Sequence, residues 1–201
     1  MSATPAPPSV TTRERLVRGL AAALAERRYV DVTMNDIVRH ARTSKRTFYE
    51  HFADKEECFL ELYARVCDGL YTAQAARVDP SSPMRDQIRT LTEVYLETLS
   101  ASPAVSRAIL SDIIGGGDAC LVARRREHER YADAMRLYFE HARREQPDAG
   151  IRSLSLESAA ALVGAINELV LRAFDAGRAD ELVALAPTIE DLLRSMVLDR
   201  R

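Results

Sequence analysis

Apolar residues recur along this chain at the three- and four-residue spacing that places them on one face of an α-helix. The spacing predicts helices over these approximate ranges: 11–28, 34–41, 44–52, 54–80, 84–100, 104–114, 118–145, 155–176 and a last helix ending near residue 198. No segment combines the alternation of a half-buried strand with a hairpin turn. The pattern therefore predicts an all-α fold.

The lengths of these helices divide the chain. Residues 1–10 hold three prolines and no charge, which predicts a disordered arm. Three short helices over residues 11–55 can share one small core, and we expect them to form a helix-turn-helix domain. A long helix beginning at Asp54 leads into a larger helical domain over residues 56–201. Its length of roughly 35 Å suits a rod that connects two domains.

Residues 33–55 are the most informative stretch of the chain. Thr33 suits the N-cap of one helix, with Asp36 at the third position as in a capping box, and Ser44 begins the next helix. Phe48 and Phe52 are four apart and would face inward together. The residues left on the outer face are Lys45, Arg46, Thr47, Tyr49, Glu50 and His51. Such a face can enter a DNA major groove.

Charge is distributed unevenly along the chain. Residues 1–55 hold ten Lys and Arg against six Asp and Glu, whereas the remainder holds 18 against 24. Residues 39–47 carry four basic side chains and no acid. A local basic face of this kind is typical of nucleic-acid binding, although the overall formal charge is only −2.

The segment ARTSKRTFYEHFADKEECF resembles the recognition segment of the TetR family of one-component regulators. The shared positions are Ala41, Ser44, Lys45, Thr47, Tyr49, His51, Phe52, Lys55 and Glu56. The resemblance is strong over residues 11–60 and rests on the helix pattern elsewhere. Arg42 stands at the turn where the family usually has glycine, which predicts either a different turn or a tolerated positive φ. Arg46 also replaces a common glycine and adds a side chain that could read bases.

The resemblance implies a homodimeric, ligand-responsive repressor that binds double-stranded DNA at an inverted-repeat operator. Lys45 and Arg46 are the candidates for base contacts. The candidates for phosphate contact or for positioning are Thr33, Ser44, Thr47, Tyr49, His51 and Lys55. The larger domain would bind a small, largely apolar effector and would dimerise.

The last third of the chain carries the candidate dimer interface. The helix over 155–176 is apolar nearly all round, so it must be covered on more than one side. Together with the last helix it resembles the family's four-helix dimer bundle. The interface candidates are Ala161, Gly164, Glu168 and Leu193; the effector candidates are Tyr63, Tyr95, Tyr138, Asn167 and Phe174. Packing within one protomer is the competing interpretation for both sets.

The sequence predicts no enzyme, cofactor or metal site. The four histidines lack zinc-site spacing, and GGG at 115–117 lacks the strand and lysine of a phosphate-binding loop. No apolar run approaches the roughly 20 residues of a membrane span, and no signal pattern opens the chain, so we expect a cytoplasmic protein. Cys58, Cys67 and Cys120 predict reduced thiols. The alternatives are a DNA-binding regulator without an effector, a thiol-redox regulator, and a helical enzyme or chaperone that carries the motif by chance.

Overall fold

The structure is a computed structural model that describes residues 10–199, so nearly all of the predicted N-terminal arm lies outside the described residues. Within that range the chain is helical. The helices are α1 (Thr12–Glu26), α2 (Met34–His40), α3 (Lys45–Tyr49), α4 (Lys55–Arg77), α5 (Met84–Ser100), α6 (Pro103–Leu110), α7 (Asp118–Glu145), α8 (Leu156–Asp175) and α9 (Ala186–Val197). Short 3-10 segments cover 29–31, 112–115, 147–149 and 179–185. The expected all-α fold is confirmed.

The chain divides into two compact units inside α4, with unit 1 ending at Ala64 and unit 2 beginning at Arg65. The sequence analysis placed this division after residue 55. The first turns of α4 belong to unit 1 because Cys58 and Phe59 are fully buried and the Phe59 ring stacks on Tyr29, with the ring centroids 4.2 Å apart.

Unit 1 has a small core to which each of its helices contributes. The inward stripe of α1 consists of the buried residues Leu16, Leu20, Ala23 and Leu24. The α1 and α2 backbones approach closely at Gly19, where an added Cβ would lie 2.6 Å from the Ile37 carbonyl oxygen. Only glycine permits this approach, because a carbonyl in a packed helix cannot move away cheaply.

Unit 2 is built around α8. That helix packs against α7 and also contacts α6, α9 and the 3-10 segment at 179–185. Leu162, Val163, Ile166 and Val170 of α8 are buried in the unit's main apolar cluster. The expectation that α8 is covered on more than one side is confirmed. Over residues 10–199, no helix is both long enough and apolar enough to cross a lipid bilayer.

Candidate nucleic-acid interface

The start of α2 is fixed by a reciprocal cap. The Asp36 amide donates to Thr33 Oγ1 at 3.3 Å, and Asp36 Oδ2 accepts from the Thr33 amide at 2.9 Å and from the Thr33 hydroxyl at 2.6 Å. These donors hold the pKa of the Asp36 carboxyl below its usual value. The predicted capping box, with Asp in place of Glu or Gln, is therefore confirmed.

The turn between α2 and α3 contains a non-glycine residue in the left-handed region, because Arg42 has φ +50°. The Thr43 amide donates to the Val38 carbonyl at 3.0 Å and closes the turn. The sequence left open either a different turn or a positive φ at Arg42. The structure has the positive φ, so the turn keeps a left-handed residue although that residue is arginine. This conformation is unfavourable for any residue with a Cβ.

The short helix α3 presents its basic side chains outward. Ser44 caps it by accepting from the Thr47 amide at 3.1 Å, while Phe48 is completely buried. Lys45 is exposed, and 91% of the Arg46 side chain is exposed, with Nε 3.3 Å from Glu50 Oε1. A surface pair of this kind is weak, so Arg46 can exchange it for another partner.

We refer to seven of the eight predicted DNA-binding residues, all of them exposed or partly exposed, as the outward row. Thr33, Ser44, Lys45, Arg46 and Tyr49 are exposed, and Thr47 and His51 are partly exposed. The Tyr49 ring packs edge-on against buried Phe48, at 5.7 Å between centroids, and this contact restrains an otherwise exposed side chain. The row offers cationic, hydroxyl and imidazole donors, the groups that contact phosphates and guanine edges.

Lys55 differs from that row because its ammonium group points into unit 1. Its Nζ donates to the carbonyl oxygens of Tyr29 and Val32, each at 2.8 Å, and lies 4.4 Å from the centre of the Tyr29 ring. Partial burial lowers the pKa of this ammonium group. Of the two predicted roles, the contacts favour positioning over phosphate binding.

Two arginines of α1 contact the helix-turn-helix and were missed by the sequence analysis. Arg13 Nη1 donates to the His51 carbonyl at 2.7 Å, beyond the end of α3, and its guanidinium lies 4.2 Å from the centre of the Phe52 ring. Arg15 donates to the turn itself. The hydrogen bonds join residues 26–38 positions apart, so local sequence pattern carries no signal for them.

The effector candidates are only partly brought together. The Tyr95 hydroxyl on α5 donates to Asn167 Oδ1 on α8 at 2.8 Å, so two of the five are direct partners. Tyr138 donates instead to Gln87, and Phe174 lies in the apolar cluster. Tyr63 belongs to unit 1, whereas the other four belong to unit 2. The grouping of Tyr63 with them therefore stays a prediction.

Further polar groups lie in the interior of unit 2. Gln74 Nε2 donates to the Tyr131 hydroxyl at 2.9 Å, and burial raises the pKa of Tyr131 to about 12. The buried Thr92 hydroxyl has no hydrogen-bond partner among the described residues. Buried polar atoms are normally paired, so this hydroxyl is a polar group that a bound molecule could satisfy.

The candidate dimer-interface residues differ in how exposed they are. Ala161 and Glu168 are exposed on α8, and Glu168 pairs with Arg172 at 2.9 Å. Gly164 is partly covered, and a Cβ there would lie 3.8 Å from the His128 ring of α7. Leu193 is only 5% exposed and packs in the core of its own protomer, which argues against an interface position. Ile189, Leu193 and Val197 share the inward face of α9, which turns Leu192 outward.

Over residues 10–199, no three His, Cys, Asp or Glu side chains are grouped as metal ligands. Cys58, Cys67 and Cys120 form no disulfide. Cys58 and Cys120 have no exposed surface, whereas Cys67 is partly exposed. Burial in apolar surroundings lowers the reactivity of a thiol.

Comparison with known proteins agrees with this geometry. Residues 16–62 match the family model described as "Bacterial regulatory proteins, tetR family". An uncharacterised helix-turn-helix regulator of Bacillus subtilis, YxbF, is 30% identical over 97 residues, covering 48% of this chain and 26% of YxbF. The regulator EthR of Mycobacterium tuberculosis is 34% identical over 104 residues, covering 50% of this chain and 48% of EthR. The matches thus span half or less of these curated relatives.

Solved structures resemble the whole described chain. The fatty acid degradation regulator FadR of Bacillus halodurans superimposes with a TM-score of 0.78 at 14% identity, covering 94% of this chain and 96% of FadR. FadR of Bacillus subtilis, in complex with stearoyl-CoA, superimposes with a TM-score of 0.73 at 14% identity, covering 89% of this chain and 96% of that FadR. Salmonella enterica GusR superimposes with a TM-score of 0.75 at 19% identity, covering 95% of this chain and 97% of GusR. At these identities the likeness shows the fold.

A capped helix-turn-helix in unit 1 and an all-helical unit 2 give the fold of helix-turn-helix regulatory proteins. Residues 16–62 are similar to the tetR family of bacterial regulatory proteins, and the described chain shares the fold of solved TetR-family structures.

Proposed function

We propose that this chain is a homodimeric transcriptional repressor that binds an inverted-repeat operator and leaves it when a small, largely apolar ligand binds unit 2. The observation that carries this proposal is the outward row of α3, where Lys45, Arg46 and Tyr49 stand exposed on a capped and packed helix. Lys45 and Arg46 reach base edges. Ser44, Thr47, Tyr49 and His51 hold the phosphates on either side.

The dimer forms through the outer face of α8 and α9. An open groove there is lined by Ala165, Glu168, Leu169, Arg172, Thr188, Asp191, Leu192 and Ser195. Leu169 and Leu192 are only partly buried within the protomer. A second copy related by a twofold axis would cover these side chains with the same face of its own α8 and α9. Ala161 and Glu168 remain interface residues in this proposal, and Leu192 takes the place of Leu193.

The ligand binds in unit 2 beside the Tyr95–Asn167 pair. Tyr95, Asn167 and the unpartnered Thr92 hydroxyl supply a few polar groups within an apolar interior, the usual composition of a small-molecule site. A FadR of the same fold has been solved with stearoyl-CoA, which supports an apolar chain as one ligand class to test. Such a ligand releases DNA only to the extent that it binds the DNA-free conformation more tightly.

We expect ligand binding, and not thiol oxidation, to release the DNA. The reference DNA is the duplex that the wild-type protein enriches from a randomised library. Saturating long-chain acyl-CoA or other apolar compounds should raise the melting temperature and release this duplex, because a ligand at 100 times its Kd stabilises by about 2.7 kcal/mol. A variant with Cys58, Cys67 and Cys120 all replaced by Ser should respond in the same way.

Peroxide provides the opposing test. It should release the duplex neither from the wild-type protein nor from the triple Cys→Ser variant, because Cys58 and Cys120 are fully buried and Cys67 is partly covered. If peroxide releases only the wild-type protein, and no compound shifts melting or releases DNA, a thiol-redox regulator replaces the ligand-responsive one. If neither treatment has any effect, the regulator acts without an effector of either kind.

A further inference from the structure

The turn that places α3 carries an unfavourable residue. Arg42 has φ +50°, where a side chain with a Cβ is disfavoured by contact with its own backbone. Such a conformation persists only if its surroundings hold it. Because α3 begins three residues later, any rotation at Arg42 changes the direction in which Lys45 and Arg46 point.

Arg15 of α1 supplies the restraint. Its Nη2 atom donates to the carbonyl oxygen of Ala41 at 2.8 Å and to the carbonyl oxygen of Arg42 at 2.8 Å. One guanidinium nitrogen carries two hydrogens, so it can serve both acceptors at once. The Ala41 carbonyl belongs to the peptide plane before the Arg42 Cα, and the Arg42 carbonyl belongs to the plane after it. A donor that binds both planes restrains the φ and ψ angles of Arg42 directly.

We propose that Arg15 is a positioning residue for the recognition helix: it keeps the Arg42 turn left-handed and so fixes the angle at which α3 meets DNA. Arg15 acts through the turn and makes no base contact. The inference rests on the proposed function, since the angle of α3 matters only if α3 reads DNA. It also explains how a family turn that usually holds glycine accommodates arginine in this chain.

The central variant is Arg15→Met, which keeps most of the aliphatic stem and removes the donors. Arg18→Met is the matched control, since Arg18 lies on the same helix, has the same charge and pairs only with Glu14 among the contacts described. The third variant is Arg42→Gly, because glycine adopts a positive φ without steric cost. The double variant of Arg15→Met and Arg42→Gly completes a double-mutant cycle, which measures the coupling between the two residues.

Binding is measured against the duplex enriched by the wild-type protein and against a scrambled duplex of the same length and composition. Arg15→Met should bind the enriched duplex about tenfold more weakly, the scale of losing hydrogen bonds from a charged donor. Binding to the scrambled duplex and the salt slope should stay as in wild type. In the Arg42→Gly background, Arg15→Met should change affinity by no more than about twofold. Arg18→Met should match wild type in its preference for the enriched duplex.

Other outcomes overturn the inference. Equal weakening on both duplexes, with the salt slope reduced by about one, would make Arg15 a phosphate contact. A tenfold loss that persists in the Arg42→Gly background would show that Arg15 does not act through the turn. Unchanged affinity of Arg15→Met would remove the positioning role altogether.

Hydrogen exchange separates this inference from the proposed function. The Thr43 amide, bonded to the Val38 carbonyl, should exchange at least about tenfold faster in Arg15→Met than in wild type. The amide of Leu20, in the middle of α1, should keep its wild-type rate. The wild-type protein could enrich no duplex while Thr43 exchange is faster in Arg15→Met. In that case Arg15 holds the turn, but α3 does not read DNA and the proposed function fails. If Thr43 exchange does not change, Arg15 does not hold the turn.

Discussion

Ala165→Arg should convert the dimer to monomers and lower affinity for the inverted-repeat duplex by more than about 100-fold. Ala165 is exposed in the protomer and lines the groove between α8 and α9, so an arginine there leaves the protomer intact. In the proposed dimer the same side chain would be buried without a partner, which is costly. Two half-sites are then no longer bound together, and the gain from linking them, about 10²–10⁴ in affinity, is lost.

Sedimentation velocity at micromolar concentration and fluorescence anisotropy with the enriched duplex measure the two parts of this result. Ala134→Arg is the matched control, because it makes the same substitution at an exposed position of α7 that does not line the groove. It should remain dimeric and bind as wild type does. A dimeric Ala165→Arg variant with full DNA affinity would place the interface elsewhere or remove the need for one.

Arg46→Ala and Lys45→Ala should each lower affinity for the enriched duplex by about 1–3 kcal/mol and relax the sequence preference. Arg46 is the sharper case because 91% of its side chain is exposed and its one described partner is Glu50, the C-cap residue of α3. A guanidinium can donate to guanine O6 and N7 together, and this bidentate contact discriminates against other bases. Binding to a scrambled duplex should fall much less.

Repeating the duplex selection with each variant identifies the base positions that Lys45 and Arg46 read. Arg125→Ala, at an exposed position of α7, controls for the loss of one positive charge. It should select the same sequence as wild type. If Arg46→Ala weakens enriched and scrambled duplexes equally and still selects the wild-type sequence, Arg46 contacts phosphate and does not read bases.

Features that depend on neighbours within one helical turn could be predicted from the sequence. Thr33 and Asp36 are three residues apart, and Phe48 and Phe52 are four apart, so the chain itself brings each pair together. The cap of α2, the inward aromatic pair and the outward row of α3 follow from that spacing. Ser155 is a further case, because its hydroxyl accepts from the Ser158 amide three residues on and caps α8.

Two kinds of feature could not be predicted: contacts between residues distant in the sequence, and whether an apolar stripe packs in the protomer core or at a dimer interface. Arg13, Arg15 and Lys55 reach carbonyls 23–38 positions away, and nothing in their local spacing marks those partners. Leu193 belongs to an apolar stripe, but a stripe does not tell a protomer's own core from its dimer interface. The unit boundary falls inside continuous α4, where neither proline nor any other helix-breaking residue signals it.

The effector candidates illustrate a second limit. Aromatic residues on several helices suggested a common site, yet Tyr95 pairs with Asn167 while Tyr138 pairs with Gln87. Helical periodicity gives the face on which a side chain lies but not its partner across the core. Buried hydroxyls choose partners by distance and direction, and these depend on how the helices pack.

Selection of duplexes from a randomised library by the wild-type protein tests the central claim most directly. The account predicts strong enrichment of one inverted repeat, with half-sites spaced so that two copies of α3 enter successive major grooves on one side of the duplex. It also predicts that one dimer or a whole number of dimers binds each enriched duplex in sedimentation. Enrichment of no sequence, with uniform and salt-sensitive binding to every duplex, would contradict the claim that this protein is a sequence-specific regulator.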